Sequence, residues 1–132
     1  MLVSHIHGRN GKRVATLVAT KIDGEIRIGW AVKHPTDTWN RRHGLAIAMS
    51  KLMIPHFPIG HMPGIVIEAM PAFLGRCSRY FHVEPQALIG TVIGAGDYVK
   101  NKILDAALLL NDEYKRRKAE LQNLTALVSL LK

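Results

Sequence analysis

The chain of 132 residues is long enough for one domain with a buried core and short for two. Hydrophobic residues make up 48% of it and charged residues 21%, which excludes a disordered chain. The chain has one cysteine, which cannot form an internal disulfide. No run approaches the ~20 apolar residues of a membrane-spanning helix. The first residues lack the basic start and apolar core of a signal peptide. We therefore expect a cytoplasmic protein that does not enter a membrane.

Positive charge is distributed unevenly along the chain, whose formal net charge is +8. Residues 1–56 carry nine Lys and Arg against three acids, residues 57–96 carry two of each, and residues 97–132 carry seven against five. A basic N-terminal half is typical of a protein that binds nucleic acid. An acidic protein partner, or a need for solubility alone, would account for the same charge.

Three β-rich runs, residues 2–8, 12–22 and 25–33, are separated by Asn10-Gly11 and Asp23-Gly24. Both dipeptides favour two-residue hairpin turns, because a type I′ turn needs positive φ at both central positions. The sequence therefore predicts a three-stranded antiparallel meander. The predicted cross-strand pairs are Ile22 with Glu25, Thr20 with Arg27, Leu17 with Trp30, Ala15 with Val32, Ile6 with Ala15, and His5 with Thr16.

This register divides the strand residues between two faces, since side chains alternate along a strand. The first face is apolar and collects Leu2, Ile6, Ala15, Leu17, Ala19, Ile26, Ile28, Trp30 and Val32. The second face is mostly polar and collects His5, His7, Thr16, Thr20, Glu25, Arg27 and Lys33, together with Val3, Val14 and Val18. A helix capped by Asp37 or Thr38, starting near Trp39 and ending before Pro55, is expected to cover the apolar face.

The middle of the chain is nearly uncharged and is predicted to be its most buried part. Residues 55–64 are rich in Pro and Gly and indicate a loop. Residues 64–68 read as a short buried strand, and helices are expected at 72–81, after Pro71, and at 86–93, after Pro85.

Residues 97–132 predict one long C-terminal helix, because Gly and Pro are absent from them and apolar residues recur every three or four positions. The resulting heptad stripe is Ile103, Ala107, Leu110, Tyr114, Arg117, Leu121, Leu124, Val128 and Leu131. Its first half is expected to pack on its own chain. Leu121, Leu124, Val128 and Leu131, which follow the basic cluster 115–118, are the predicted interface of a homo-oligomer.

Two basic surfaces are candidates for nucleic-acid binding, because Arg and Lys contact phosphate and bases and Thr also reaches them. The first is the polar sheet face with His5, His7, Thr16, Thr20, Arg27 and Lys33. The second is Arg41-Arg42 at a helix start, where backbone N–H groups also suit phosphate. For each of the two surfaces, the alternative interpretation is an ordinary solvated surface that binds no ligand.

Metal and catalytic sites receive little support from the sequence. His5 and His7 share a strand face, but no histidine pair has helical i, i+4 spacing or cysteine partners, so we predict neither a metal nor a cofactor. Cys77 beside Arg76 is read as a structural cysteine. A small enzyme that uses His56, His61 or Cys77 remains an alternative.

Residues 23–54, with Asp23-Gly24-Glu25-Ile26-Arg27-Ile28-Gly29 and the later Asp37-x-Trp39-Asn40-Arg41-Arg42-x-Gly44, resemble small uncharacterised proteins encoded by bacteriophages. That resemblance implies a phage origin and hence the host cytoplasm. Residues 2–54 are also similar in layout to the DNA-binding domains of plant ethylene-response factors and tyrosine recombinases. In those domains the sheet face away from the helix reads DNA, although the Arg and Trp contacts of these families are mostly Thr, Val and His here.

The sequence thus predicts a single-domain α+β protein with a β-β-β-α module (1–54), an apolar helical middle (55–96) and a long C-terminal helix (97–132). The expected function is binding of nucleic acid, most simply DNA, by an oligomer that is not an enzyme. The main alternative is a phage accessory or virion protein that docks on a host protein through its C-terminal helix.

Overall fold

A computed structural model describes residues 1–33, 41–53, 62–92 and 94–131. The architecture is α+β, as predicted: a three-stranded antiparallel sheet in the order β1-β2-β3 is followed by helices, the last of them long. The elements are β1 (Leu2–His7), β2 (Arg13–Ile22), β3 (Glu25–Val32), α1 (Arg41–Met53), α2 (Gly64–Phe81), α3 (Pro85–Ile89) and α4 (Asp97–Leu130). The expected caps Asp37 and Thr38, the helix start at Trp39 and most of the 55–64 loop lie outside the described residues.

The predicted strand register is confirmed at every pair. Leu17 lies opposite Trp30, and His5 lies opposite Thr16. The turn between β2 and β3 is the expected one, with positive φ at both Asp23 (52°) and Gly24 (79°).

The connection between β1 and β2 differs from the predicted two-residue turn. The Gly11 N–H donates to the Gly8 carbonyl at 3.0 Å, which places Arg9 and Asn10, not Asn10 and Gly11, at the centre of the turn. Gly11 supplies the positive φ (76°) after that turn, and the register shifts between Ile6 and His7. A turn followed by a left-handed glycine at a bulge is the usual three-residue alternative to a type I′ turn.

Both faces of the sheet are covered, and the expected position of α1 was wrong. Leu17 on the apolar face packs with α2 and α4 residues such as Leu74 and Ile103. Helix α1 lies on the opposite face, where its Ala48 packs in a second cluster with Val18 and Ala31. Val18 of the polar face, with Val3 packed against it, therefore belongs to a second core, and the sheet is the middle layer of three.

The predicted strand at residues 64–68 was also wrong, because these residues form the first turns of α2. The buried side chains of α2 follow helical spacing: Val66, Met70, Phe73, Leu74 and Cys77. Burial of this stripe outweighs the β-propensity of Ile65-Val66-Ile67. Pro71 lies inside the helix and removes one backbone hydrogen bond without ending it.

Helix α3 is shorter than the predicted 86–93, because the chain leaves it to meet the edge of the sheet. The Ile28 N–H donates to the Thr91 carbonyl at 3.5 Å, and Val92 forms a parallel bridge with Ile28. This short pairing covers part of the β3 edge. The sheet and the helices packed on it form the body of the described structure, and the second half of α4 extends from this body.

Helix α4 has two unlike halves, as expected. Its first half buries Ile103, Ala107 and Asn111 against the body, whereas Leu110 on the predicted heptad stripe stays 45% exposed. The buried positions follow i, i+4 spacing because a helix that packs on a globular body has no need to keep the 3.5-residue repeat. From residue 114 to residue 131 every position is exposed.

Candidate nucleic-acid interface

The centre of the predicted binding face is not available to a ligand in this fold. Thr16 is 0% exposed, so its prediction as a nucleic-acid contact was wrong. His5 beside it is half-buried, with its ring Nδ1 at 3.1 Å from the Thr16 hydroxyl oxygen. Helix α1 lies across this central part of the face.

The other predicted sheet residues separate into two groups at opposite ends of the strands. Thr20 and Arg27 form a cross-strand pair near the β2–β3 turn, where the Arg27 Nε lies 3.5 Å from a Glu25 carboxylate oxygen. His7 and Lys33 lie at the other end. Seven strand residues, roughly 23 Å, separate the two ends along β2, so the predicted residues do not form one patch.

The end with His7 and Lys33 carries three more cations, and we call this group the basic end: His7, Arg9, Lys12, Arg13 and Lys33. His7 lies opposite Arg13 across the strands, and the Lys33 N–H donates to the Val14 carbonyl at 2.8 Å. Arg9 and Lys12 are exposed on the connecting loop. Residues 7–14 contain no carboxylate, so local acids do not offset this charge.

The backbone of the basic end is fixed by hydrogen bonds within the loop. The Gly8 N–H donates to the Lys12 carbonyl at 2.8 Å, and the Lys12 N–H donates to the Asn10 side-chain oxygen at 3.0 Å. Such a loop holds its cations near one another before any ligand binds, which lowers the entropy lost on binding. Clustered Arg and Lys at an exposed hairpin suit a phosphate backbone.

The second predicted surface lies at the start of α1. The helix begins at Arg41, whose side chain is outside the description, and Arg42 in its first turn is exposed. The first turn of α1 contains no acidic residue. Arg42 therefore remains an accessible candidate contact.

A third basic surface, not predicted as a site, is a cleft of about 330 Å³ between the end of α2 and the middle of α4. It is lined by Ser78, Arg79, His82, Val83, Glu84, Asn111, Tyr114, Lys115 and Lys118. The Arg79 guanidinium lies 4.4 Å from the centre of the Tyr114 ring. Glu84 in the wall offsets part of the charge, so the cleft suits phosphate less well than the basic end.

Of the three residues in the enzyme alternative, Cys77 is the one that the structure describes. Cys77 is 0% exposed, and burial raises its pKa to about 12, so at neutral pH it is a thiol and a poor nucleophile. Across the described ranges, His, Cys, Asp and Glu form no group of three or more that could hold a metal ion. His56 and His61 lie outside these ranges.

Arg9, Lys12 and Arg13 of the basic end were not among the candidate contacts predicted from the sequence. The signal was present, since residues 9–13 hold three cations and no acid. Arg9 and Lys12 lie in the connection between β1 and β2, which belongs to neither sheet face, and Arg13 is the first residue of β2. A count of charge in each turn would have found the basic end.

Comparisons with family models, with curated proteins and with solved structures give no match to this chain. The resemblances to phage proteins and to sheet-reading DNA-binding domains therefore stay predictions. Among the helices described, none is both long and apolar enough to cross a membrane.

Proposed function

We propose that this protein binds nucleic acid through the basic end of its sheet. The observation that carries the proposal is the concentration of Arg9, Lys12, Arg13 and Lys33 around one hydrogen-bonded hairpin that lacks acids. Arg42 at the start of α1 is a further candidate contact. The proposal keeps the predicted class of function and the predicted contact Lys33, and it adds Arg9 and Lys12 from the loop and Arg13 from the start of β2.

The expected binding is driven by phosphate and is largely independent of sequence. Cations at phosphates release condensed counterions and supply affinity that falls steeply with salt. Reading of bases needs polar groups that are free to meet base edges. The Asn10 side-chain oxygen already accepts the Lys12 N–H, so this oxygen is not free for the bidentate contact that Asn makes with adenine.

Fluorescence anisotropy with labelled duplex DNA, single-stranded DNA and RNA at ~50 mM salt tests the proposal, since phosphate-driven affinity is greatest at low salt. The double variant Arg9→Gln/Lys12→Gln should weaken binding at least ~10-fold, because it removes two phosphate contacts. The matched control is Arg76→Gln/Lys102→Gln, which removes the same charge from exposed positions on α2 and α4.

Two results would defeat the proposal. One is an absence of binding to all three nucleic acids at this salt, which would favour an acidic protein partner for the basic end. The other is an equal loss of affinity in the loop variant and in its control, which would show that net charge matters and the basic end does not.

A further inference from the structure

The second half of α4 presents an apolar surface that the described parts of the chain leave uncovered. Its four heptad residues, which we call the distal stripe, are Leu121, Leu124, Val128 and Leu131, with exposures of 64%, 60%, 53% and 87%. Leu127 beside them is 57% exposed. Isolated apolar side chains on a surface are common, but a continuous heptad stripe on a projecting helix marks an interface.

We propose that a second copy of this chain covers the distal stripe, and that the two α4 helices pair in antiparallel orientation. This inference does not rest on nucleic-acid binding. A heptad repeat is the surface that another heptad repeat fits, since each a or d side chain enters a hole between four residues of the facing helix. In this register Leu121 and Val128 are a positions, and Leu124 and Leu131 are d positions.

Arg117 decides the orientation. It occupies the d position one heptad before Leu124, so a parallel pair would bring the two Arg117 guanidinium groups together at the seam. In an antiparallel pair centred on Ala126, Leu121 meets the partner's Leu131 and Leu124 meets the partner's Val128, while Arg117 faces no residue of the partner's distal stripe. There it keeps the salt bridge that it already makes with Glu113 of its own helix, at 2.5 Å.

The antiparallel pair also fits around the body of the protein. The partner's Leu131 lies level with Leu121, seven residues or about 10 Å beyond Tyr114, where α4 leaves the body. Leu127 comes next to its counterpart at the edge of the seam. The seam spans about 16 Å of helix and falls short of the ~800 Å² per partner of a standard interface, so we expect micromolar dissociation.

The first test is the molar mass of nucleic-acid-free protein by analytical ultracentrifugation. Wild-type protein should be a dimer at ~100 μM and dissociate on dilution, as a small interface requires. Leu124→Glu should weaken the dimer at least ~100-fold, because it buries a carboxylate in the seam. Gln122→Glu, at an exposed position outside the seam, is the matched control and should leave the dimer unchanged.

A monomer at the highest concentration would overturn the self-pairing and leave the stripe to a different protein. A larger assembly, or equal weakening by Gln122→Glu, would also overturn it. None of these outcomes bears on the affinity of the basic end for nucleic acid, so the two proposals can fail separately.

The second test is disulfide cross-linking, which reports orientation. Thr125 lies beside its counterpart in the antiparallel pair, so Thr125→Cys should form a covalent dimer within minutes of mild oxidation. Leu121→Cys, which keeps Arg117, would do so only in a parallel pair, since residue 121 lies about 15 Å from its counterpart along the antiparallel pair. Faster cross-linking of that variant would overturn the proposed orientation. Wild-type protein is the control, because its single Cys77 is fully buried.

Discussion

Replacement of Val18 by alanine tests the three-layer arrangement, because Val18 lies on the sheet face that sequence patterning assigned to polar residues. The structure buries Val18 completely, between Ala31 of β3 and Ala48 of α1. Alanine removes two methyl groups, worth about 1.6 kcal/mol in transfer free energy, and leaves a small cavity. We expect Val18→Ala to lower the free energy of unfolding by about 2–3 kcal/mol.

Urea denaturation followed by circular dichroism measures this loss, which should appear as a lower midpoint with an unchanged m value. For a domain of this size the melting temperature should fall by roughly 6–12 °C. Lys21→Ala, at an exposed position on the same strand, is the control and should change stability by less than about 0.5 kcal/mol. A loss for Val18→Ala as small as the control's would refute the packing of α1 on this face.

Two further predictions concern the turn and the buried thiol. Gly24→Ala should destabilise the protein by about 1–2 kcal/mol in thermal melts, because Gly24 has a φ of 79°. The control is Gly90→Ala, at a φ of −65° with open space around the glycine, which should be neutral or stabilising in the same melts. The raised pKa of Cys77, about 12 against an ordinary 9.0, means that the unfolded chain loses its thiol proton first as pH rises. The Cys77 thiol should therefore leave the free energy of unfolding unchanged below pH ~9 and lower it above that pH by up to about 1.4 kcal/mol per pH unit, relative to the Cys77→Ala variant. Identical pH profiles of stability for wild-type protein and Cys77→Ala would contradict the burial of the thiol.

The sheet was predictable from sequence because its signals are local. Asp23-Gly24 fixes one turn, and strict alternation around Leu17 fixes the register, since a slip of one residue would move every apolar side chain to the other face. The same locality predicted the exposure of Leu121 and Leu124, which follow a charged cluster on a helix with no break.

The position of α1 and the start of α2 were not predictable in the same way. The short apolar run at residues 64–68 suits a strand or a buried helix, and only its contacts with the sheet decide between them. Helix α1 has Gly, Ala and Ile on several sides, so its sequence does not indicate which sheet face it covers. The candidate site depends on that choice, because α1 covers the face that holds Thr16, whereas His7, Arg9 and Lys12 of the basic end stay exposed.

The most direct test of the proposed function is the salt dependence of duplex DNA affinity, measured in the Leu124→Glu background so that one copy is counted. The slope of log K against log salt is about −0.9 per neutralised phosphate, so Arg9, Lys12, Arg13 and Lys33 together predict a slope near −3.6. Adding Arg9→Gln/Lys12→Gln should reduce its magnitude by about 1.8. A slope that those two substitutions leave unchanged would contradict nucleic-acid binding at the basic end.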